Sequence, residues 1–176
     1  TGVSDIGDSD VEAPQEYRGQ LQDHAVCVAP FVLIVNKDVP VDNLTKQQAA
    51  DIFSGKITNW KEIPGGIDKK ITVVTRPDGS GSRKLVQDIV LDGGPFAKEA
   101  IVQAESGSMR AAVASTSGAI GYVDAPYVDG SVKALRFDGI AYSKETVANG
   151  TYKLYGVEHM YTKGEPKGAV KAFLDD

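Results

Sequence analysis

A turn rich in Gly and Ser carries the side chains with the clearest capacity for chemistry. It lies within VVTRPDGSGSRKLVQDIV, residues 73–90, and the residues concerned are Arg76, Gly79, Ser80, Gly81 and Ser82. Glycines allow a backbone to approach a ligand closely, serines carry hydroxyl donors, and arginine carries a planar charged fork suited to phosphate or carboxylate. These residue types at this spacing indicate a site for a small oxyanion.

The elements beside the turn fit such a site. A buried strand is predicted before it and an amphipathic helix after it, with Leu85, Ile89 and Val90 facing inward. The first N–H groups of a helix lack intrahelical partners, and the helix dipole favours negative charge there. The spacing is neither that of a nucleotide phosphate loop nor that of a dinucleotide fingerprint. An ordinary turn with a helix cap, in which Arg76 pairs with Asp78, fits the segment equally well.

A second group of candidate residues is the acidic turn SDIGDSD at residues 4–10, which places Asp5, Asp8 and Asp10 around a glycine. Its spacing is not that of a calcium-binding loop. The pattern therefore favours a solvated acidic turn over a metal site.

Strands and helices are predicted to alternate along the chain, which indicates an α/β fold. The apolar run HAVCVAPFVLIV at residues 24–35 predicts strands buried on both faces, with Cys27 among the buried residues. Trp60 is expected in the core. Helices are predicted after the caps Thr45 and Ser143 and at 83–91, 108–116 and 166–174, and further strands at 71–74, 119–123, 132–137 and 152–161.

Composition excludes several classes of protein. The 176 residues fit about one domain, and a net charge of −5 argues against a nucleic-acid partner. One cysteine and two histidines exclude an intrachain disulfide, a cysteine-rich zinc site and a histidine-rich metal cluster. No cofactor is implied, and no window reaches the roughly 18 apolar residues of a membrane span.

Five segments, taken in order, resemble the phosphate-binding protein of bacterial phosphate ABC transporters, a member of the periplasmic-binding-protein-like superfamily. They are SDIGDSD, APFVLIVNKD, LTKQQAADIFSGKITNWKEI, VVTRPDGSGSRKL and SGAIGYVD. The resemblance implies a type II lobe with a mixed, mainly parallel sheet flanked by helices, plus incomplete pieces of a second lobe. It also implies an extracytoplasmic protein, periplasmic or lipid-anchored, whose partners are inorganic phosphate and a membrane permease.

The resemblance also assigns roles to individual residues. Those expected to bind phosphate are Asp10, Arg76, Ser80, Gly81 and Ser82, with Asp78 and Gly79 in support and no catalytic or metal-binding residue. Ser82 stands where the family more often has Thr, which keeps a hydroxyl. Asp78 is expected to orient Arg76. Asp10 is expected to accept a hydrogen bond from a P–O–H group, which fully ionised sulfate lacks.

The family's N-terminal segment and its C-terminal continuation have no counterpart here, so the chain is expected to be cut at both ends. The expected division is 1–31 as a piece of the first lobe with a hinge strand, 32–154 as a nearly complete second lobe, and 155–176 as the other hinge strand and the return to the first lobe. Two alternatives stay open. One is a phosphoester hydrolase, although neither Ser80 nor Ser82 has a nearby base. The other is a binding protein for sulfate, molybdate or tungstate, which the acidic turn disfavours.

Overall fold

The computed structural model describes residues 4–175, and these form two compact units. The residues up to Ala29, together with those from Gly156 onward, form the first unit, and Pro30–Tyr155 form the second. Strand β2 (Gln22–Val35) begins in the first unit and ends in the second.

The first unit contains β1 (Gly7–Ser9), β2 up to Ala29, β9 (Tyr155–Thr162) apart from its first residue, and α5 (Gly168–Asp175). Strands β1 and β9 pair antiparallel, and β9 also lies beside β2. The Nδ1 atom of His159 lies 2.8 Å from Oδ1 of Asp23, and Nε2 of His24 lies 3.0 Å from Oγ1 of Thr162. Both histidines therefore tie β2 to β9.

The remaining strands and helices belong to the second unit. They are β3 (Asn43–Leu44), α1 (Lys46–Phe53), β4 (Thr72–Thr75), α2 (Gly81–Leu91), β5 (Ile101–Val102), α3 (Ser106–Ser115), β6 (Ala119–Asp124), β7 (Lys133–Ala134), β8 (Arg136–Phe137) and α4 (Lys144–Ala148). The helices expected after Thr45 and Ser143 are confirmed, and both caps form capping boxes. Helix α2 starts at Gly81 rather than at Arg83, because Ser80 caps it.

The sheet of the second unit is mixed, as predicted. Strand β2 pairs antiparallel with β6 and with β7, whereas β4 pairs parallel with both β6 and β5. The carboxyl ends of β4, β5 and β6 therefore lie at one edge of the sheet. Loops that leave this edge are the usual place for a ligand in an α/β fold.

The core of the second unit lies between this sheet and its helices. Every residue of Phe31–Val35 is buried, and helix α3 packs so closely on β6 that a Cβ at Gly121 would lie 3.0 Å from Val113 Cγ2. Trp60 is fully buried, as expected, and its indole N–H donates to the Gly118 carbonyl at 2.9 Å.

The prediction for the apolar run at residues 24–35 was wrong in its first half. The four consecutive residues Ala25–Val28 are exposed, Cys27 among them. Apolar sequence predicts a strand there, but the described elements of the first unit do not cover both of its faces. None of the helices within residues 4–175 is both long enough and apolar enough to cross a membrane.

Candidate anion-binding site

The predicted anion turn joins the end of β4 to the start of α2. Ser80 has extended backbone angles and its Oγ accepts from the Arg83 amide at 3.3 Å, so it is the N-cap of the helix. Gly79 adopts a φ of +87°, although a Cβ there would meet nothing within 4 Å. Glycine is thus required at this position by backbone conformation rather than by space.

Arg76, the first residue of the turn, is held by two segments that are distant in sequence. Its Nη1 donates to Ser106 Oγ at 3.1 Å and its Nη2 to the Ala104 carbonyl at 2.8 Å. Its backbone N–H donates to the Tyr122 hydroxyl at 3.3 Å. Its Nε atom is buried and has no hydrogen-bond partner within residues 4–175. The guanidinium is therefore held at both Nη atoms, and Nε is the nitrogen of this side chain that has no partner within the described residues.

Ser106 and Asp124 extend this network to the other strand ends. Ser106 is the first residue of α3 and is only 8% exposed, and its Oγ donates to Asp124 Oδ2 at 2.8 Å. Asp124 is the last residue of β6 and is half-buried. One chain of hydrogen bonds therefore joins the segments that follow β4 and β5 to the end of β6.

Arg83 spans the turn from its position in the first turn of α2. Its Nη1 donates to Thr75 Oγ1 at 3.0 Å and to the Arg76 carbonyl at 2.9 Å, and its Nε lies 3.1 Å from Asp78 Oδ1. The guanidinium carbon lies 4.5 Å from the centre of the Phe96 ring, within range of a cation–π contact. A single side chain thus connects both ends of the turn.

The expectation that Asp78 orients Arg76 was wrong, because Asp78 pairs with Arg83 instead. The Arg76 guanidinium is directed towards Ala104 and Ser106, whereas Arg83 reaches back from the helix to the tip of the turn. The Asp78 side chain is 96% exposed, so the ion pair is screened by solvent.

The Tyr122 hydroxyl lies beneath the turn. It is 3.0 Å from Thr75 Oγ1 and accepts from the Arg76 amide. Burial raises the pKa of Tyr122, and the hydrogen bonds with Thr75 and Arg76 only partly offset that rise. The phenol therefore stays neutral and supports the backbone at the point where β4 ends.

The predicted site residues fall into two groups. Arg76, Ser80, Gly81 and Ser82 lie together on the turn of the second unit, and Ser82 is buried. Asp10 belongs to the first unit, where it directly follows β1 and is half-buried. Its role toward phosphate stays a prediction.

Sequence reasoning missed four residues of the network: Arg83, Ser106, Tyr122 and Asp124. The segment QAESGSM, residues 103–109, is a second strand-to-helix transition with serines at the helix start, so the pattern used for the first turn was present there as well. In residues 4–175, no three His, Cys, Asp or Glu side chains are grouped so that they could hold a metal ion.

The chain matches a known family and several known proteins. The family model for the PBP superfamily domain matches residues 2–175. The phosphate-binding protein PstS of Bacillus subtilis is 43% identical over 179 residues, which cover 99% of this chain and 59% of that protein. The chain therefore spans less than two thirds of the length of this relative.

Two solved structures are similar over nearly the whole chain. One, from Clostridium perfringens, is described as a phosphate ABC transporter substrate-binding protein with bound phosphate. It is 37% identical with a TM-score of 0.92, and the match covers 99% of this chain and 72% of that chain. The other, an ABC-type phosphate transport receptor from Vibrio cholerae, is 29% identical with a TM-score of 0.82, over 99% of this chain and 75% of its own. On the family match and these similarities, the chain belongs to the PBP superfamily.

Proposed function

We propose that this chain is the phosphate-binding part of an extracytoplasmic solute-binding protein that captures inorganic phosphate for an ABC importer. The observation that carries the proposal is the Arg76 guanidinium, fixed at the end of β4 with a buried Nε that has no partner within the described residues. A buried charged donor without an acceptor is costly, and an anion would satisfy it.

The start of α2 complements this arginine. Ser80, Gly81 and Ser82 contribute hydroxyl and backbone donors where the helix dipole favours negative charge. Arg76 contributes charge and a planar fork that matches the oxygens of phosphate. These groups bind and orient a tetrahedral oxyanion.

Donors of this kind do not separate phosphate from sulfate. We propose, from the resemblance, that Asp10 does so. As a carboxylate it accepts a hydrogen bond from a protonated phosphate oxygen, whereas every oxygen of sulfate would meet it without a proton.

The names of the relatives support a role in phosphate transport. A phosphate-binding protein, a phosphate ABC transporter substrate-binding protein and an ABC-type phosphate transport receptor are similar to this chain, and none of these names describes an enzyme. We propose that the partner is the membrane permease of the importer and that the protein is periplasmic or lipid-anchored at the outer face of the cytoplasmic membrane. Residues 30–155 would be the nearly complete lobe, and the first unit a part of the other lobe.

Isothermal titration with phosphate and with sulfate tests the proposal. The wild-type chain should bind phosphate, and Arg76→Lys should weaken binding by at least roughly tenfold because lysine lacks the planar fork. Arg136→Lys is the matched control, because Arg136 is an exposed arginine on β8. Asp10→Asn should reduce the preference for phosphate over sulfate, while Asp8→Asn, on the exposed neighbour in β1, should not.

Two results would contradict the proposal. Equal affinity in Arg76→Lys and Arg136→Lys would remove the turn from the site, and unchanged selectivity in Asp10→Asn would remove Asp10. Incubation with p-nitrophenyl phosphate separates capture from hydrolysis, since release of p-nitrophenol that Arg76→Lys abolishes would favour a phosphoester hydrolase.

A further inference from the structure

The hydrogen bonds between Arg76, Ser106 and Asp124 have one possible direction. A guanidinium only donates and a carboxylate only accepts. Ser106 has a single hydroxyl hydrogen, so it donates that hydrogen to Asp124 at 2.8 Å and turns a lone pair towards Arg76 Nη1 at 3.1 Å. The carboxylate thus fixes the rotation of the hydroxyl, and the hydroxyl presents an oriented acceptor to the arginine.

These contacts determine where the Nε–H donor of Arg76 points. The guanidinium is planar, and both of its Nη atoms are held, one by Ser106 and the other by the Ala104 carbonyl. Two fixed atoms and the Cδ attachment define the plane, so the direction of the Nε–H bond is defined as well. That Nε is the buried donor without a partner.

The serine also separates two opposite charges. A carboxylate in direct contact with Arg76 would occupy the fork and compete with an incoming anion. No ion pair between Arg76 and Asp124 is present, because Ser106 lies between them in the hydrogen-bond chain. The aspartate therefore compensates the charge of the arginine without taking its donors.

We propose that Ser106, with Asp124 behind it, is a positioning residue that holds the Arg76 guanidinium in the orientation that captures the anion; the proposal rests on the phosphate-binding function proposed above. Neither residue belongs to the predicted anion turn. Ser106 is set by the start of α3 and Asp124 by the end of β6, so the site is ordered from the neighbouring strand ends.

Titration of Ser106→Ala with phosphate tests the proposal. We expect binding to weaken by about tenfold or more, because one hydrogen bond to a charged group is lost. Ser106→Thr, which keeps the hydroxyl, should retain most of the affinity. Ser108→Ala is the matched control: its hydroxyl lies in the same helical turn but bonds only to Glu105, and its removal should leave the affinity unchanged. In an Arg76→Lys background, Ser106→Ala should cause no further loss, since it acts through the arginine.

A second measurement follows Arg76 itself. In protein made with isotope-labelled arginine, the Nε–H resonance of Arg76, identified by its absence from Arg76→Lys, should exchange slowly with water. Ser106→Ala should shift it and speed its exchange, and Ser108→Ala should not. Equal spectra and affinities for the two alanine variants would overturn the proposal. If the wild-type chain does not bind phosphate, only the proposed function is refuted. The Nε–H resonance of Arg76 would still show whether Ser106 holds the guanidinium.

Discussion

Replacing Arg83 by lysine tests whether this side chain holds the anion turn in shape. The Arg83 side chain is only 19% exposed, and its contacts reach the last residue of β4, the next carbonyl and the tip of the turn. Lysine keeps the charge but carries one ammonium group in place of a fork, so it cannot reach all three partners. The variant therefore removes the connection across the turn without changing the net charge.

The magnitude follows from the individual contacts. A hydrogen bond to a charged group contributes about 1.5–3 kcal/mol, and lysine can keep one of the two bonds that Nη1 makes to Thr75 and Arg76. The contact with the Phe96 ring adds about 0.5–1 kcal/mol. The Asp78 ion pair adds little, because its carboxylate is 96% exposed. We expect a total loss of about 2–4 kcal/mol in the free energy of unfolding.

Urea unfolding followed by the fluorescence of Trp60 measures this loss in the second unit, where the only tryptophan of the chain is buried. Arg83→Lys should lower the midpoint at an unchanged slope. Asp78→Asn is the control and should be nearly neutral. A change below about 0.5 kcal/mol for Arg83→Lys would refute the reasoning. An equal loss in Asp78→Asn would show that the ion pair, and not the buried contacts, holds the turn.

Two further predictions concern the stability of the second unit. Burial alone would raise the pKa of Asp38, but hydrogen bonds from Lys69, Ser117 and the Gly118 amide, with the charge of Lys69, hold it below its ordinary value. The contribution of the Asp38 carboxylate to the free energy of unfolding is therefore complete above the unfolded-state pKa of about 3.9, and it is lost as pH falls through the lower folded-state pKa. Asp38→Asn should therefore make stability depend less steeply on pH in acid. A curve parallel to that of the wild type would contradict this. Trp60→Phe should cost about 2–3 kcal/mol in circular-dichroism melts, because it leaves a cavity and removes the indole donor from the Gly118 carbonyl, which then keeps only the longer bond from the Thr72 amide. A loss under about 1 kcal/mol would contradict this prediction.

Local patterns predicted the elements of the second unit well for a physical reason. Helix caps and apolar periodicity act over three to four residues, so Thr45 and Ser143 could be assigned as caps without knowledge of the fold. The strand-turn-helix geometry of the anion turn is of the same local kind. The exposed stretch Ala25–Val28 was not predictable in this way, because hydrophobicity indicates a strand but not the elements that cover it.

The prediction of side-chain partners failed where two candidate partners lie at different distances along the sequence. Asp78 is two residues from Arg76 and five from Arg83, and sequence proximity favoured the wrong arginine. The choice is made by Ala104 and Ser106, some 30 residues further along the chain, which take up the Arg76 guanidinium. Parallel pairing of β4 with β5 brings these segments together, and such long-range pairing leaves no local signal.

The arrangement separates two properties of the proposed site. The hydrogen bonds described above that order Arg76 and the turn lie within the second unit. In the proposed site, Arg76 and the start of α2 present donors to any tetrahedral oxyanion. We propose that Asp10, which belongs to the first unit, recognises the proton of phosphate. Changes at Arg76, Arg83 or Ser106 should therefore weaken phosphate and sulfate binding by the same factor, because a lost donor or a looser loop affects both anions alike. Only Asp10→Asn should change the ratio of the two affinities. A variant of the turn that altered this ratio would mean that the donors themselves discriminate between the anions, and the division of roles would have to be abandoned.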